Sequence, residues 1–225
     1  MPQRVLPRLS ETKDTCAGEH RPETHRCGLP ERVAIAMSGG VDSSVAAYLL
    51  KESGFEVVGL TMQLRPTVDE KTALPLARCS PDAVNDARNI AWSLGFPHHV
   101  VNFREPFERL VVNPFIDAYL DGRTPNPCIA CNRFIKFGLL LKQAAALGAR
   151  WLVTGHYVRT FYALQCKRYV LLRGVDRRKD QSYFLYTLTQ DQLARILFPL
   201  GGLEKSQVRD IARQAGLNIA AKAES

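Results

Sequence analysis

No stretch of the 225 residues approaches the ~20 consecutive apolar positions that a membrane-crossing helix requires. The opening residues, MPQRVLPRLSETKD, contain no apolar core of the secretory kind. Six cysteines (Cys16, Cys27, Cys79, Cys128, Cys131 and Cys166) are too sparse for the disulfide framework of a small secreted domain. There is no internal repeat, no low-complexity tract and no Gly-Lys-Ser/Thr phosphate loop. These absences point to a soluble, intracellular protein with no membrane partner, and the cytoplasm is the expected compartment. The composition is that of a globular domain rather than a disordered chain, with 46% hydrophobic and 23% charged residues. The length suits one large domain, or one domain and a fragment of a second.

Acidic residues are nearly missing from one long segment. Between positions 122 and 179, twelve Lys and Arg stand against a single acid, Asp176. That segment is +11, while the whole chain is +8 and the remainder therefore −3. Such a concentration of one sign suits a polyanionic partner such as a nucleic acid, although a solvated basic surface gives the same count.

From Arg32 onward, strand-like and helix-like stretches alternate. The runs RVAIAM (32–37), EVVGLTM (56–62), HHVVNF (98–103) and WLVTGH (151–156) predict four strands of the buried, parallel kind. Helices are expected after the glycine turn at 38–40, from Ser80-Pro81, over 107–120 with an interruption at Pro114, and over 132–147. A basic hairpin and loop are expected over 157–180, and closing helices near 181–197 and 204–215. The alternation predicts an α/β protein with a doubly wound, mainly parallel sheet. Residues 1–30 read as a mobile extension, 31–217 as the α/β domain, and 218–225 as the start of a following region. The abrupt ending KAES reads as a cut inside a longer protein.

The turn Ser38-Gly39-Gly40-Val41-Asp42-Ser43-Ser44 carries the clearest chemistry. It follows an apolar strand and opens an amphipathic helix. Glycines let a backbone approach a ligand closely, and free amides at a helix start favour phosphate. Hydroxyls of Ser38, Ser43 and Ser44 can add donors, and Asp42 can hold the Mg²⁺ that accompanies ATP. A plain capped turn would need fewer of these residues. The pattern is not the dinucleotide fingerprint; it resembles the pyrophosphate-binding loop of the PP-loop ATP pyrophosphatases, which cleave ATP to AMP and pyrophosphate while adenylating a substrate oxygen.

A second motif, DGRTPNPCIACN (121–132), pairs Cys128 and Cys131 in a proline-stiffened loop. With Cys131 expected at the start of the next helix, helix amides together with Arg123, Arg133 and Lys136 favour its thiolate, the form that attacks and that carries sulfur. Half a zinc site, a redox dithiol, part of an iron–sulfur site on Cys128 and Cys131, or two inert buried thiols are the alternatives.

Taken in order, SGGVDSS, GRTPNPCIACNRFIKF, LVTGHY and LLRGVDRRKDQSYFL resemble the tRNA-specific 2-thiouridylases over residues 31–225. The resemblance implies an adenine nucleotide alpha hydrolase-like (PP-loop) domain and a tRNA-uridine 2-sulfurtransferase. ATP would be bound by the stretch Ala36, Met37, Ser38, Gly39, Gly40, Val41, Asp42 and Ser43, with Met62 and Gly155. Asn126, Pro127 and Cys128 would face the target base, although many family members carry Asp where this chain has Cys128. Lys179, Asp180 and Gln181 would contact tRNA, and Cys131 would be the catalytic thiol. His156, at a strand end, reads as structural. ATP and Mg²⁺ are the implied cofactors, with an iron–sulfur cluster in some members; tRNA and a persulfide sulfur-donor protein are the implied partners. The second family cysteine, which accepts the persulfide and closes a disulfide bond with the first, lies just beyond a stretch matching KAES. Two other functions fit the loop alone: a PP-loop enzyme adenylating a small molecule, and a non-catalytic fragment that binds ATP or tRNA.

Overall fold

The computed structural model describes residues 30–64, 81–217 and 219. The expected extension at 1–30 (save Pro30), most of the loop at 63–80, and 218–225 (save Ile219) lie outside the described residues. β1 (Arg32–Ala36) is the central strand, because Val33, Ala34 and Ile35 are fully buried and so must be covered on both faces. β2 (Glu56–Gln63) and β3 (His98–Asn102) extend the sheet on one side. β4 (Trp151–Val153) extends it on the other. All pairings in this sheet are parallel.

Alternate side chains of β1 serve two separate cores. Val33 and Ile35 pack with α1 (Val41–Glu52), α2 (Pro81–Ser93) and the last helix, α5 (Lys205–Gln214), through Val45, Ala87, Val208 and Ile211. Ala34 packs toward the other layer, with Val111 of α3 and Ile135, Phe137 and Leu140 of α4. Here α3 covers 104–120 and α4 covers 127–146. The sheet is therefore wound on both faces, as expected from the alternation of elements. The basic segment forms an antiparallel hairpin, β5 (Val158–Ala163) with β6 (Arg168–Arg173). Among the described residues, no helix is long and apolar enough to cross a membrane.

Four expectations are corrected. The stretch 181–197 is not one helix. It is a tight turn, Ser182–Leu185, then a single helical turn, Gln190–Leu193, closed by a Thr189/Gln192 capping box, then a fifth sheet strand, β7 (Ile196–Leu197). β7 extends the parallel sheet beyond β4, so Ile196 is buried by a partner and not by helical periodicity. The strand expected at 151–156 ends at Val153, where Thr154 begins the turn toward the site.

Helix α3 starts at Arg104 and is not broken at Pro114. Its middle, Glu108–Val112, is wound as a wider π-helix, and the α-helical piece Asn113–Leu120 restarts there with the proline in its first turn. Proline is tolerated where its missing N–H has no partner to lose. Helix α4 begins five residues earlier than expected, at Pro127, because Asn126 caps it: its side-chain oxygen accepts from Cys128 N–H at 3.0 Å. Cys131–Leu140 is again π-wound, and Leu141–Ala146 completes the helix.

Candidate functional site

In an open α/β sheet, ligands bind beyond the carboxyl ends of the strands where the strand order reverses. That point lies between β1 and β4, since β2 and β3 fall on one side and β4 and β7 on the other. The glycine turn leaves β1 there, and Thr154-Gly155-His156-Tyr157 leaves β4 beside it. A Cβ on Gly155 would lie 3.0 Å from Asp42 C and Ser43 N, so the two turns are in contact.

The glycine turn is braced from within. Ser38 N–H donates to Ser43 Oγ at 3.2 Å, and the hydroxyls of Ser43 and Ser44 donate to Gly40 O at 3.1 and 3.0 Å. Ser43 and Ser44 are buried, and Ser38 is exposed. Gly40 caps α1 with extended backbone and no side chain, so its cap position places no side-chain acceptor on the opening amides of that helix. Met37 and Val41 are buried; Ala36, Gly40, Asp42 and Met62 are half-buried around them.

Met37 has a second support. Thr61 Oγ1 donates to Met37 O at 3.0 Å and therefore accepts from His98 Nε2, 2.8 Å away. Among the described residues, His98 Nδ1 finds no hydrogen-bond partner although it is buried. Burial, then Arg88 and His99, hold this imidazole down to about 4. Between that value and its ordinary 6.5 the unfolded chain binds the proton and the folded chain does not. Stability is therefore expected to fall as pH drops from about 6.5 toward about 4. Melting curves across that range should show the decline, and His98→Asn should flatten its share of it.

Three motifs distant in sequence join in one chain of bonds. The Tyr157 hydroxyl donates to Asp42 Oδ1 at 2.7 Å. The Tyr157 backbone exchanges two bonds with Gln181: its N–H donates to Gln181 Oε1, and its O accepts from Gln181 N–H, both at 3.2 Å. Asp180 shapes the same turn. Burial alone would push its carboxyl up, but donors from Gly174 N–H and Ser182 hold it below the usual carboxylate range. Lys179 sits one residue earlier, its N–H donating to Asp176 O.

The thiol segment packs on this turn. The first turn of α4 contacts Ser182–Leu185, and the buried Asn132 donates from Nδ2 to Phe184 O at 3.3 Å. Cys128 is exposed in the first turn of α4 and Cys131 is half-buried one turn further in. Cys131 thus does not begin the helix, as the sequence had suggested; the capping turn belongs to Cys128. Tyr183 and Tyr186, 69% and 67% exposed, stand beside this segment and were not singled out from sequence. His156 is 8% exposed, bonded to Thr154 Oγ1 at 2.8 Å and packed against Phe137 and Phe198.

Asp42 places a half-buried carboxylate at the turn, the oxygen-donor type that a Mg²⁺ would take beside phosphate oxygens. Two thiols do not by themselves hold an iron–sulfur cluster, and among the described residues there is no group of three or more His, Cys, Asp or Glu placed to hold a metal. Cys166 lies apart, in the hairpin turn.

The family model of the tRNA methyl transferase HUP domain matches residues 31–225. The tRNA-specific 2-thiouridylase MnmA of Carboxydothermus hydrogenoformans is 56% identical over 196 residues, covering 87% of this chain and 54% of that protein. Its namesake in Geotalea uraniireducens is 55% identical over 199 residues, covering 87% and 52%. The chain therefore spans about half the length of the curated relatives it matches. Among solved structures, a 4-thiouridine synthetase–RNA complex with bound ATP aligns with a TM-score of 0.56 at 20% identity, over 86% of this chain and 43% of that one. The U34-tRNA thiolase NcsA from Methanococcus maripaludis with its [4Fe-4S] cluster aligns at 0.52 and 19%, over 87% and 60%. At these identities the likeness is one of fold.

Proposed function

The chain belongs to the tRNA methyl transferase HUP domain family, and on that premise we propose that it is the ATP-binding, tRNA-activating part of a tRNA 2-thiouridylase. Residues 31–217 form its nucleotide domain. The observation that carries this reading is the bonded chain Asp42–Tyr157–Gln181, which ties the phosphate-type turn to the end of the basic segment. A small substrate requires no such basic segment, and methyl transfer requires no pyrophosphate loop.

ATP lies along Ala36–Ser43 with Met62 and Gly155 beside it; Asp42 would hold the Mg²⁺, which would supply charge neutralisation for the phosphates. The target is the wobble uridine of tRNA. Its base sits in a single-stranded loop and can be splayed toward Asn126, Pro127 and Cys128 at modest cost. Lys179 and its neighbours take the RNA backbone. The uridine C2 oxygen attacks the α-phosphorus, the bond to the β-phosphate breaks, and pyrophosphate leaves. A cysteine persulfide then attacks C2 through its terminal sulfur and AMP departs with the former C2 oxygen. The Cys131 thiolate attacks the carrier cysteine's sulfur, which frees the thiocarbonyl and leaves a disulfide. The carrier cysteine, recharged by a persulfide donor protein, belongs to the longer protein, and the cytoplasm is where such tRNA is met.

AMP release from ATP and Mg²⁺ by the purified chain is expected to require unmodified tRNA. Release that ignores tRNA, or that a small carboxylate or amide drives, would favour the small-molecule reading. In the presence of the sulfur-donating partner and the remaining half of the protein, Cys131→Ser is expected to keep tRNA-dependent AMP release within about twofold while no thiolated tRNA forms. Loss of both together would place Cys131 in adenylation instead.

A further inference from the structure

Lys205, the first residue of α5, is 163 positions from Asp42 in sequence, yet its Nζ lies 2.6 Å from Asp42 Oδ1. The side chain is only 12% exposed, and its ammonium sits 5.8 Å from the centre of the Tyr157 ring. We propose that Lys205 contacts the ATP phosphates in the nucleotide site, passing from Asp42 to the phosphates when Mg²⁺ takes the carboxylate. This rests on the ATP reading above and adds a residue to it.

The electrostatics explain why a lysine here needs a ligand. A cation in the first turn of a helix opposes the helix dipole, and Lys205 occupies that position in α5. It also lies against the second residue of α1, where another helix start contributes positive potential. Desolvating an ammonium between two helix starts is costly, and Asp42 is the carboxylate it pairs with among the described residues. A polyphosphate satisfies all three positive elements together. An ammonium beside the departing pyrophosphate would also stabilise the charge that develops as the α–β bond breaks.

The placement is fixed from the backbone. Lys205 N–H donates to Asp176 Oδ2 at 3.0 Å, and Arg178 N–H donates to Asp176 Oδ1 at 2.9 Å. Those bonds, the one from Lys205 foremost, hold the Asp176 carboxyl below its usual range. A Glu204/Gln207 capping box secures the helix start. One carboxylate therefore anchors both Lys205 and the turn that leads to Lys179.

The test is calorimetric binding of ATP, inorganic pyrophosphate and adenosine to the full chain, with and without Mg²⁺. Lys205→Gln keeps an N–H donor for Asp42 and so preserves the fold, which a melting curve checks. It is expected to weaken ATP and pyrophosphate by about ten- to fifty-fold with Mg²⁺ present and to leave adenosine unchanged. Lys205→Arg is expected to restore most of the affinity. If Mg²⁺ brings Lys205→Gln back to wild-type affinity, the lysine only masks Asp42 and the proposal fails. Equal weakening of adenosine would show a structural role and also overturns it. A wild-type chain that binds adenosine but neither phosphate ligand removes the ATP reading itself.

Discussion

Gly39→Ala is expected to lower ATP affinity by about a hundredfold or more, because two costs fall on one residue. Gly39 holds φ +69°, a conformation that an L side chain adopts at about 1–2 kcal/mol. A Cβ there would also stand 2.3 Å from Ala83 O and 3.0 Å from Ala83 C. That neighbour is the backbone of α2, close to its start, and cannot rotate aside. Either α2 or the turn must shift, and the turn is the element whose amides would meet phosphate. The bracing bonds from Ser43 and Ser44 to Gly40 O would shift with it. Titration of ATP into the folded variant reads the effect, and unchanged affinity would mean that the turn does not hold the nucleotide.

The parts of this protein that were legible in sequence are those whose signal is local. β1 could be read because three consecutive residues, Val33, Ala34 and Ile35, are apolar and are all buried. The glycine turn could be read because its residues act through their own backbone and near neighbours. β7 could not: two residues make no periodic pattern, and their strand state comes from pairing with Leu152 and Val153. The true start of α4 was written locally, as Asn126 before Pro127, a cap followed by a first-turn proline. The proline-rich loop hid it. Proline at 114 signalled a break, but the π-wound turns before it absorb the irregularity within the helix.

The convergence at Asp42 had no sequence signal. Tyr157 and Lys205 reach it from 115 and 163 residues away, through the order of the strands and the packing of α1 on α5. Motif spacing named Asp42, Gly155 and Gln181 one by one, but only the fold joins them. The thiol pair shows the same limit, since spacing put Cys128 and Cys131 together while the cap at Asn126 decided which of them lies in the first helical turn.

Gly201→Ala is expected to be strongly destabilising, more so than the same change at Gly39, Gly155 or Gly174. A Cβ at Gly201 would lie 1.8 Å from Val158 O, 2.5 Å from Val158 C and 2.9 Å from Arg159 Cγ. The residue cannot turn away, because its N–H donates to Phe198 O and its own O accepts from Val175 N–H. Leu200 beside it is fully buried in the core under α1 and α5. Relief therefore requires separating the 198–201 turn from β5. Overpacking of this kind costs about 3 kcal/mol or more, which for a chain of this size lowers the melting temperature by roughly 6–12 °C. The same turn leads directly into Lys205, and Val175 lies next to Asp176, so the displacement also loosens the lysine from Asp42. Gly201→Ala should then weaken pyrophosphate binding at temperatures where the variant is still folded. A variant that melts within a degree of wild type would show that the hairpin and the 198–201 turn are not in direct backbone contact.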